Sequence, residues 1–206
     1  MRFDKRELLQ VHDYDENAIC MFYKVKEQWG ALSNMSNQFG VMVNGVACRN
    51  TEALYQAMRF PNQPDIQKEI IEQRSGFASK LISKKYRREH TRSDWDEVNV
   101  EMMRYVLSLK LAQNFDGFSQ LLIETGNLQI VEKSAKDAFW GAKQVNDSSI
   151  LQGANVLGKL LMELREALLN GCSESREALK YVPPLNIANF DLYGHRILAV
   201  GIAPDV

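Results

Sequence analysis

The sequence predicts an α+β fold that is mainly helical, with a small β element near the N-terminus. The β element is predicted by Asn44-Gly45, which tolerates positive φ and lies between the apolar segments Val41–Val43 and Val46–Cys48. The helices are predicted by two long stretches with apolar residues at helical spacing, one after Ser93 and one after Asn155. Helices dominate this pattern, and a doubly wound sheet is not expected.

The first predicted element is a short strand over Ile19–Val25, a segment with several β-branched and aromatic residues. After the hairpin, Asn50 or Thr51 is expected to cap a short helix, since either side chain can accept a hydrogen bond from a free backbone N–H. This helix must stop before Pro61, because a residue that precedes proline disfavours helical backbone.

A long helix is predicted from a capping box of Ser93 with Asp96 through about Asn114. A shorter helix over Phe118–Glu124 ends at Gly126, which suits a left-handed cap. The apolar stripe of the long helix comprises Trp95, Val98, Met102, Val106 and Leu109.

A strand over Gln129–Glu132 precedes the last long helix, which is expected to begin near Asn155 and to stop at Gly171. The apolar face of this helix comprises Leu157, Leu160, Leu161, Leu164 and Leu168.

Length and composition indicate one well-packed domain: 206 residues, 45% of them hydrophobic and 25% charged, with a net charge of −1. We expect an N-terminal extension over 1–18, a domain over 19–170 and a C-terminal extension over 171–206 packed on the same domain. The last segment contains Pro183-Pro184, and residues 195–200 are expected to form a closing strand. Its roughly 35 residues cannot readily bury a core of their own.

Sequence features favour a cytoplasmic protein without a membrane partner. No apolar run approaches the ~18 residues that span a bilayer, and no signal-peptide core follows the charged N-terminus. The three cysteines, Cys20, Cys48 and Cys172, are odd in number and far apart. They therefore indicate neither a disulfide framework nor a metal site. We expect no metal and no cofactor.

Glu52, Gln56 and Arg59 lie at i, i+4 and i+7 in the predicted short helix, with Tyr55 beside them. This spacing would let a carboxylate, an amide and a guanidinium converge on a polar ligand. The same spacing is more commonly found on a solvated helix face with a Glu–Arg pair, which the spacing alone favours. Asn34, in a turn-like segment, can donate to and accept from a base edge or a ribose hydroxyl, or bond its own backbone.

Two lysines are candidates for nucleophilic chemistry. Lys80 lies in a segment expected to be helical, and Lys110 falls near the apolar face of the long helix. A lysine desolvated there would have a lowered pKa and could act as a nucleophilic amine. The alternative is an aliphatic stem that is buried while the ammonium reaches water.

A basic run comprises Lys84, Lys85, Arg87 and Arg88, with Tyr86 interleaved. Such a run is usually a solvated face. Its tyrosine and cations also fit a nucleic-acid patch that combines stacking with phosphate contacts.

Asp137, Trp140 and Gly141 place an acid beside a stacking ring, and a polar stretch follows them. We expect Trp140 to line a cleft. Gly153-Ala154-Asn155 is expected to present free N–H groups at the start of a helix, which would favour a phosphate or diphosphate.

These motifs in this order resemble the NADAR family over roughly Ile19 to Leu169, although Met35 and Arg59 depart from the commoner phenylalanine and lysine. The motifs are Phe22-Tyr23, Leu32-Ser33-Asn34, Glu52-x-x-Tyr55-Gln56-x-x-Arg59-Phe60, Arg92-x-Asp94-Trp95, Met103-Arg104, Lys110-x-x-Gln113-Asn114, Leu121-Leu122-x-x-Thr125-Gly126, Val131-Glu132, Asp137-x-x-Trp140-Gly141 and Gly153-x-Asn155-x-Leu157-Gly158.

The resemblance implies a mainly helical YbiA-like fold and hydrolysis of N-glycosidic bonds in nucleotide-like substrates. One branch of the family removes ADP-ribose from guanine in nucleic acid, often as antitoxin to a DarT-type ADP-ribosyltransferase. The other branch hydrolyses early intermediates of riboflavin synthesis. The basic run and the C-terminal tail favour the DNA branch, with ADP-ribosylated guanine and a cognate transferase as partners.

The resemblance also implies the site residues. The reactive candidates are Glu52, Lys80, Lys110 and Asp137. The substrate-binding candidates are Phe22, Asn34, Tyr55, Gln56, Arg59, Trp140, Gly141 and Asn155.

In the expected mechanism an unprotonated lysine attacks the anomeric carbon and a carboxylate moves the protons. Two other classes of protein remain open: a module that binds ADP-ribose without cleaving it, and an inhibitor that neutralises a toxin by direct contact.

Overall fold

The computed structural model describes residues 2–203, and its elements confirm the predicted α+β class with mainly helices. The helices in that range are α1 (Lys5–Leu9), α2 (Thr51–Ala57), α3 (Pro64–Ile71), α4 (Gly76–His90), α5 (Trp95–Gln113), α6 (Phe115–Glu124), α7 (Val156–Asn170) and α8 (Ser173–Ala178). The strands are β1 (His12–Asp15), β2 (Ile19–Phe22), β3 (Val41–Val43), β4 (Val46–Cys48), β5 (Gln129–Glu132), β6 (Lys143–Gln144), β7 (Ile150–Gly153), β8 (Asp191–Leu192) and β9 (His195–Arg196).

The chain divides into two compact units, one formed by residues 2–33 and 116–176 and the other by residues 34–115 and 177–203. Residues 2–18 contribute α1 and β1 to the first unit, and residues 177–203 contribute β8 and β9 to the second. The predicted extension boundaries at residues 18 and 171 stay predictions.

In the first unit, β1 pairs antiparallel with β7, which also pairs with β6, while β2 runs parallel to β5. Only β2 and β5 were predicted from the sequence, and β2 ends three residues earlier than expected. Helix α7 packs on β5. Gly158 of α7 comes so close to the Ile130 carbonyl that a Cβ at this position would collide with it.

A buried lysine attaches the N-terminal helix to α7. The Lys159 ammonium donates to the backbone carbonyls of Glu7, Leu8 and Gln10 at 2.8, 3.2 and 2.8 Å. These carbonyls lie at the C-terminal end of α1, where a helix leaves acceptors without internal partners. The buried charge is therefore satisfied by the end of a helix.

In the second unit, α2, α3 and α4 pack on one another, and α2 also packs on α5. The predicted hairpin is confirmed, with Asn44 and Gly45 at φ of 50° and 77°. The predicted cap is confirmed as well, since Asn50 Oδ1 accepts from the Ala53 N–H at 2.9 Å.

Two local predictions for the second unit are wrong. Helix α5 begins after Asp94 and not with a capping box at Ser93, and the Asp94 side chain makes no capping bond to the described residues. The closing strand is shorter than expected, because only His195–Arg196 pairs with β8 while Val200 forms an isolated bridge with Val182. Helix α3 was not predicted.

Among the helices of residues 2–203, none combines the length and the apolar character that a membrane crossing requires.

Candidate functional site

Helix α2 carries three of the candidate side chains, Glu52, Tyr55 and Gln56, and every residue from Thr51 to Ala57 is buried. Asn34 fixes the start of this helix: its Oδ1 accepts from the Thr51 hydroxyl at 2.8 Å, and its backbone carbonyl accepts from the Glu52 N–H at 3.0 Å. The Asn34 amide nitrogen lies 3.0 Å from the Met103 sulfur. The structure thus commits both side-chain polar atoms of this predicted binding residue to contacts inside the fold.

Glu52 and Gln56 lie together, as their spacing predicted, and α4 completes their contacts. Gln56 Nε2 donates to Glu52 Oε1 at 2.8 Å. Gln56 Oε1 accepts from the Ser83 hydroxyl at 2.6 Å and from Arg87 Nη2 at 3.0 Å. Arg87 Nε also donates to the Ser83 hydroxyl at 3.3 Å. Gln56 thus holds the Glu52 carboxyl group, and Gln56 is itself fixed by its hydrogen bonds to Ser83 and Arg87.

Burial raises the pKa of the Glu52 carboxyl, because the charged form is desolvated. The positive charge of Lys80 opposes this rise most strongly among the neighbouring groups, ahead of the Gln56 hydrogen bond and of Arg87 and Arg59. Lys80 itself is exposed on α4. An exposed amine thus lies within electrostatic range of a buried carboxyl group.

The N-terminus of α4 approaches α2 closely because Gly76 has no side chain. A Cβ at Gly76 would lie 3.1 Å from the Glu52 Cβ and 2.8 Å from the Met35 Cα. This close approach brings Lys80, one turn further along α4, to the carboxyl group.

Arg59 and Tyr55 make an aromatic contact with Trp95 at the start of α5. The Arg59 guanidinium lies 4.0 Å from the centre of the Trp95 ring, and the Tyr55 and Trp95 ring centres are 5.2 Å apart. Burial, assisted by the charge of Arg87, lowers the pKa of Arg59 to about 10. The guanidinium remains protonated at neutral pH and keeps a fixed orientation on the ring.

We call these groups the Glu52 site: Glu52, Gln56, Arg59, Lys80, Ser83 and Arg87. The site can bind an anionic group through its cations and move a proton through its carboxyl group. Sequence reasoning missed Ser83 and placed Arg87 in the nucleic-acid patch. The spacing of Lys80, Ser83 and Arg87 at i, i+3 and i+7 is the signal that could have found one α4 face.

Lys110 lies on α5 and is fully buried, with its ammonium nitrogen 5.8 Å from the centre of the Phe39 ring. Burial lowers the pKa of Lys110 to about 7. Of the two alternatives that the sequence left open, the structure shows the desolvated lysine, since zero exposure excludes an ammonium that reaches water. Its catalytic role stays a prediction.

The predicted nucleic-acid patch divides into exposed and internally engaged residues. Lys85 makes an ion pair with Glu69 at 3.3 Å, and Arg87 belongs to the Glu52 site. Lys84 and Arg88 are exposed on α4 and make no ion pair within the part of the chain that the structure describes. Two of the four cations therefore remain available to a phosphate backbone.

Asp137 and Trp140 belong to the first unit. Asp137 Oδ1 accepts from the Phe139 and Trp140 N–H groups, each at 2.9 Å, so this carboxylate holds its own loop. Trp140 is half-buried, and the Phe139 ring meets it edge-on with the ring centres 4.9 Å apart. Whether Asp137 also reacts and whether Trp140 lines a cleft stay predictions.

The prediction of free N–H groups at the start of α7 is wrong. The N–H groups of residues 154–157 donate to the carbonyls of residues 138–141 at 2.7 to 3.1 Å. The Asn155 side chain is fully buried: its Oδ1 accepts from the Glu132 N–H at 3.1 Å and its Nδ2 donates to the Ile130 carbonyl at 2.8 Å. Asn155 therefore joins β5 to the start of α7 through hydrogen bonds. Because the N–H groups of residues 154–157 are engaged, they are not available to bind a phosphate.

Phe22 and Gly141 are also buried in the first unit. Phe22 is the last residue of β2, opposite Glu132 of β5, and its exposure is zero. Gly141 packs against Glu132, with an added Cβ only 2.5 Å from the Glu132 carbonyl oxygen. Both predicted binding residues are therefore buried, and their role in binding a substrate stays a prediction.

Comparison with known proteins places the chain in a family. The family described as NADAR domain matches residues 21–169. This chain belongs to the NADAR family. That assignment confirms the resemblance carried by the ordered motifs and covers most of the chain.

Individual relatives agree with the family assignment. Riboflavin biosynthesis protein VVA0006 of Vibrio vulnificus (strain YJ016) is 33% identical over 147 residues, which are 71% of this chain but only 38% of that protein. N-glycosidase YbiA of Escherichia coli (strain K12) is 29% identical over 156 residues, 74% of this chain and 90% of YbiA. The NMR structure of E. coli YbiA matches with a TM-score of 0.62 at 29% identity, covering 74% of this chain and 86% of that one.

The C-terminal segment, which follows the NADAR match, contacts the residues that precede α5. Arg92, two residues before the Asp94 that precedes α5, donates to the carbonyls of Ala188 and Asn189 at 2.8 and 3.3 Å. The same guanidinium pairs with Asp94. Since Trp95 follows directly, the C-terminal segment helps to fix the ring on which Arg59 lies.

Proposed function

We propose that this NADAR chain is an N-glycosidase that hydrolyses the bond between the anomeric carbon of a phosphorylated ribose and an amino nitrogen of a base. The observation that carries the proposal is the buried Glu52 carboxyl group beside the exposed Lys80 amine. Arg59 and Arg87 add positive charge for an anionic substrate. The name of the relative YbiA, an N-glycosidase, supports the same reaction class.

For the substrate we propose guanine bases of DNA that carry ADP-ribose on the amino group. The exposed cations Lys84 and Arg88, on the same helix as Lys80, support a phosphate-bearing partner beyond the reacting nucleotide. The proposed role is that of an antitoxin in the cytoplasm, which reverses the product of a DarT-type ADP-ribosyltransferase.

The proposed reaction uses Lys80 as the nucleophile. The Lys80 amine nitrogen forms a bond to the anomeric carbon while the bond from that carbon to the guanine nitrogen breaks, and Glu52 gives its proton to the leaving nitrogen. The bond from the anomeric carbon to the ring oxygen then breaks as that carbon forms an imine with Lys80, and the ring oxygen takes up a proton. A water molecule adds to the imine, the bond to Lys80 breaks, and ADP-ribose is released and closes its ring again. Both protons of the water are retained among the products and Glu52, so the net reaction is hydrolysis.

Trapping tests the nucleophile. Borohydride added during turnover of ADP-ribosylated guanosine should reduce the imine and leave ADP-ribose covalently on Lys80, located by mass spectrometry of peptides. Lys80→Arg should trap nothing, because a guanidinium stays protonated. An adduct on Lys110 would overturn the choice of lysine. Full activity in both Lys80→Ala and Lys110→Met, without any adduct, would overturn the lysine mechanism.

A small metabolite is the second candidate substrate, as in early riboflavin synthesis. Two observations favour it: Lys85 and Arg87 of the predicted patch are engaged by Glu69 and by the Glu52 site, and VVA0006 is named a riboflavin biosynthesis protein. The ratio of the rate on ADP-ribosylated DNA to the rate on ADP-ribosylated guanosine decides between them. For a DNA enzyme, this ratio should fall with added salt and in Lys84→Gln/Arg88→Gln. An unchanged ratio would favour the metabolite.

Incubation with ADP-ribosylated guanosine, together with an assay of toxin activity, separates the enzyme from the two non-catalytic alternatives. Release of free ADP-ribose supports an enzyme. Binding of ADP-ribosylated guanosine without turnover would indicate a recognition module, and loss of toxin activity without either would indicate direct inhibition.

A further inference from the structure

Helix α4 carries an exposed stripe formed by residues that do not belong to the Glu52 site. Phe77, Leu81, Lys84 and Arg88 follow one another at i, i+4, i+7 and i+11, a spacing that places them on one face of a helix. The buried residues of α4 are Gly76, Ser79 and Ser83, on the opposite side. We call the four exposed residues the α4 stripe.

The stripe combines an apolar end with a cationic end. Phe77 and Leu81 are 65% and 49% exposed, although both are large apolar side chains. The only acidic residue of α4 is Glu89, which is outside the stripe. An aromatic ring and two cations on one face are complementary to a ligand that alternates flat bases with negative charges.

The dimensions of the stripe suit a chain of nucleotides more than one small molecule. From Phe77 to Arg88 the helix rises about 16 Å at 1.5 Å per residue, and from Phe77 to Lys84 about 10 Å. A ring and two cations at these separations can each contact a different nucleotide of one strand. Phe77 also follows Gly76, whose backbone lies against Glu52, so the apolar end begins beside the Glu52 site.

We infer that the α4 stripe binds a nucleic-acid strand, with one unpaired base stacked on Phe77 and phosphates held by Lys84 and Arg88. The inference rests on the proposed function only in that the strand's modified nucleotide enters the Glu52 site; binding of the strand is a separate property. Leu81 extends the apolar surface under the stacked base.

Fluorescence anisotropy with a fluorescein-labelled, unmodified oligothymidine strand tests this inference on the full chain. Phe77→Ala should raise the Kd roughly 5- to 100-fold, the usual effect of removing one stacked ring. Phe77→Leu should also weaken binding, because it keeps apolar area but removes the flat face. Phe77 is exposed, so the melting temperature of both variants should stay that of the wild type.

The cations are tested by salt dependence. Lys84→Gln/Arg88→Gln should reduce the slope of log Kd against log salt by about 1.4, since each single-strand phosphate contact accounts for about 0.7. The matched control, Lys68→Gln/Arg74→Gln, removes the same charge from exposed positions of the same unit and should keep the wild-type slope. Met42→Ala, at a residue 54% exposed, is the apolar control.

Several outcomes would overturn the inference: wild-type affinity in Phe77→Ala, or an equal loss of affinity in the controls. A dimer in sedimentation that dissociates in Phe77→Ala, without any effect on oligonucleotide affinity, would assign the stripe to a second copy of the chain. Oligonucleotide binding that depends on Phe77, without hydrolysis of ADP-ribosylated guanosine, would support the inference about the α4 stripe and contradict the proposed function. Hydrolysis without such binding would do the reverse.

Discussion

Lys110 should make the stability of the protein depend on pH over an unusual range. Its side chain is fully buried, and burial lowers its pKa to about 7. In the unfolded chain a lysine has a pKa of about 10.4. Between these two values the unfolded chain holds a proton that the native protein does not, so the free energy of unfolding rises with pH.

The two pKa values give the size of the effect. Each unit of pH within this window changes the free energy of unfolding by about 1.4 kcal/mol. Below pH 7 the charged Lys110 is retained in the native state, and the total loss of stability relative to a neutral side chain is on the order of 5 kcal/mol. Above the unfolded-state pKa the loss vanishes.

Replacement by an apolar side chain of similar length removes this titration. The difference in unfolding free energy between Lys110→Met and the wild type should be most favourable to the variant below pH 7. It should shrink by about 1.4 kcal/mol per unit as the pH rises through the window. The measured quantity is the slope, so a constant change from lost or gained contacts does not alter the result.

Urea unfolding followed by tryptophan fluorescence at a series of pH values measures this slope. Lys68→Met is the matched control, because it makes the same substitution at a side chain that is 64% exposed. A stability difference between Lys110→Met and the wild type that stays constant across the window would refute the assignment of a neutral buried lysine.

Three other changes test the two units. Glu52→Gln keeps the shape of the side chain but cannot move a proton. It should therefore lower kcat on ADP-ribosylated guanosine roughly 10²- to 10⁴-fold with little change in KM. An unchanged kcat would contradict a chemical role for Glu52. Asp137→Asn keeps an oxygen acceptor for the Trp140 N–H and should retain the wild-type melting temperature. Asp137→Ala removes the acceptor and should lower the free energy of unfolding in urea by about 1–2 kcal/mol. Equal stability of the two variants would contradict a role of Asp137 in holding this loop. Gly158→Ala should destabilise the first unit by about 3 kcal/mol or more, because the new methyl group meets the Ile130 carbonyl, and a wild-type urea midpoint would count against this close approach.

Local sequence patterns determined the elements and part of the site. The hairpin at Asn44-Gly45 and the cap at Asn50 depend on the conformations of neighbouring residues, and both were predicted. The convergence of Glu52 and Gln56 was predicted for the same reason, since an i, i+4 spacing in a helix brings two side chains together wherever the helix lies. The place of Lys110 near an apolar stripe predicted either desolvation or snorkelling, and its burial in the fold decided for desolvation.

Tertiary structure decided which polar groups were already engaged. Lys85 meets Glu69 across 16 residues of sequence, and Gln56 meets Arg87 across 31, so no local pattern could separate either cation from the basic run. The N–H groups at the start of α7 are taken by carbonyls of residues 138–141, and Asn155 bonds β5. Periodicity in the sequence predicts which side chains share one face of a helix. The groups that pack against that face come from distant parts of the chain. They determine whether the polar atoms and charges of the face remain available to a substrate.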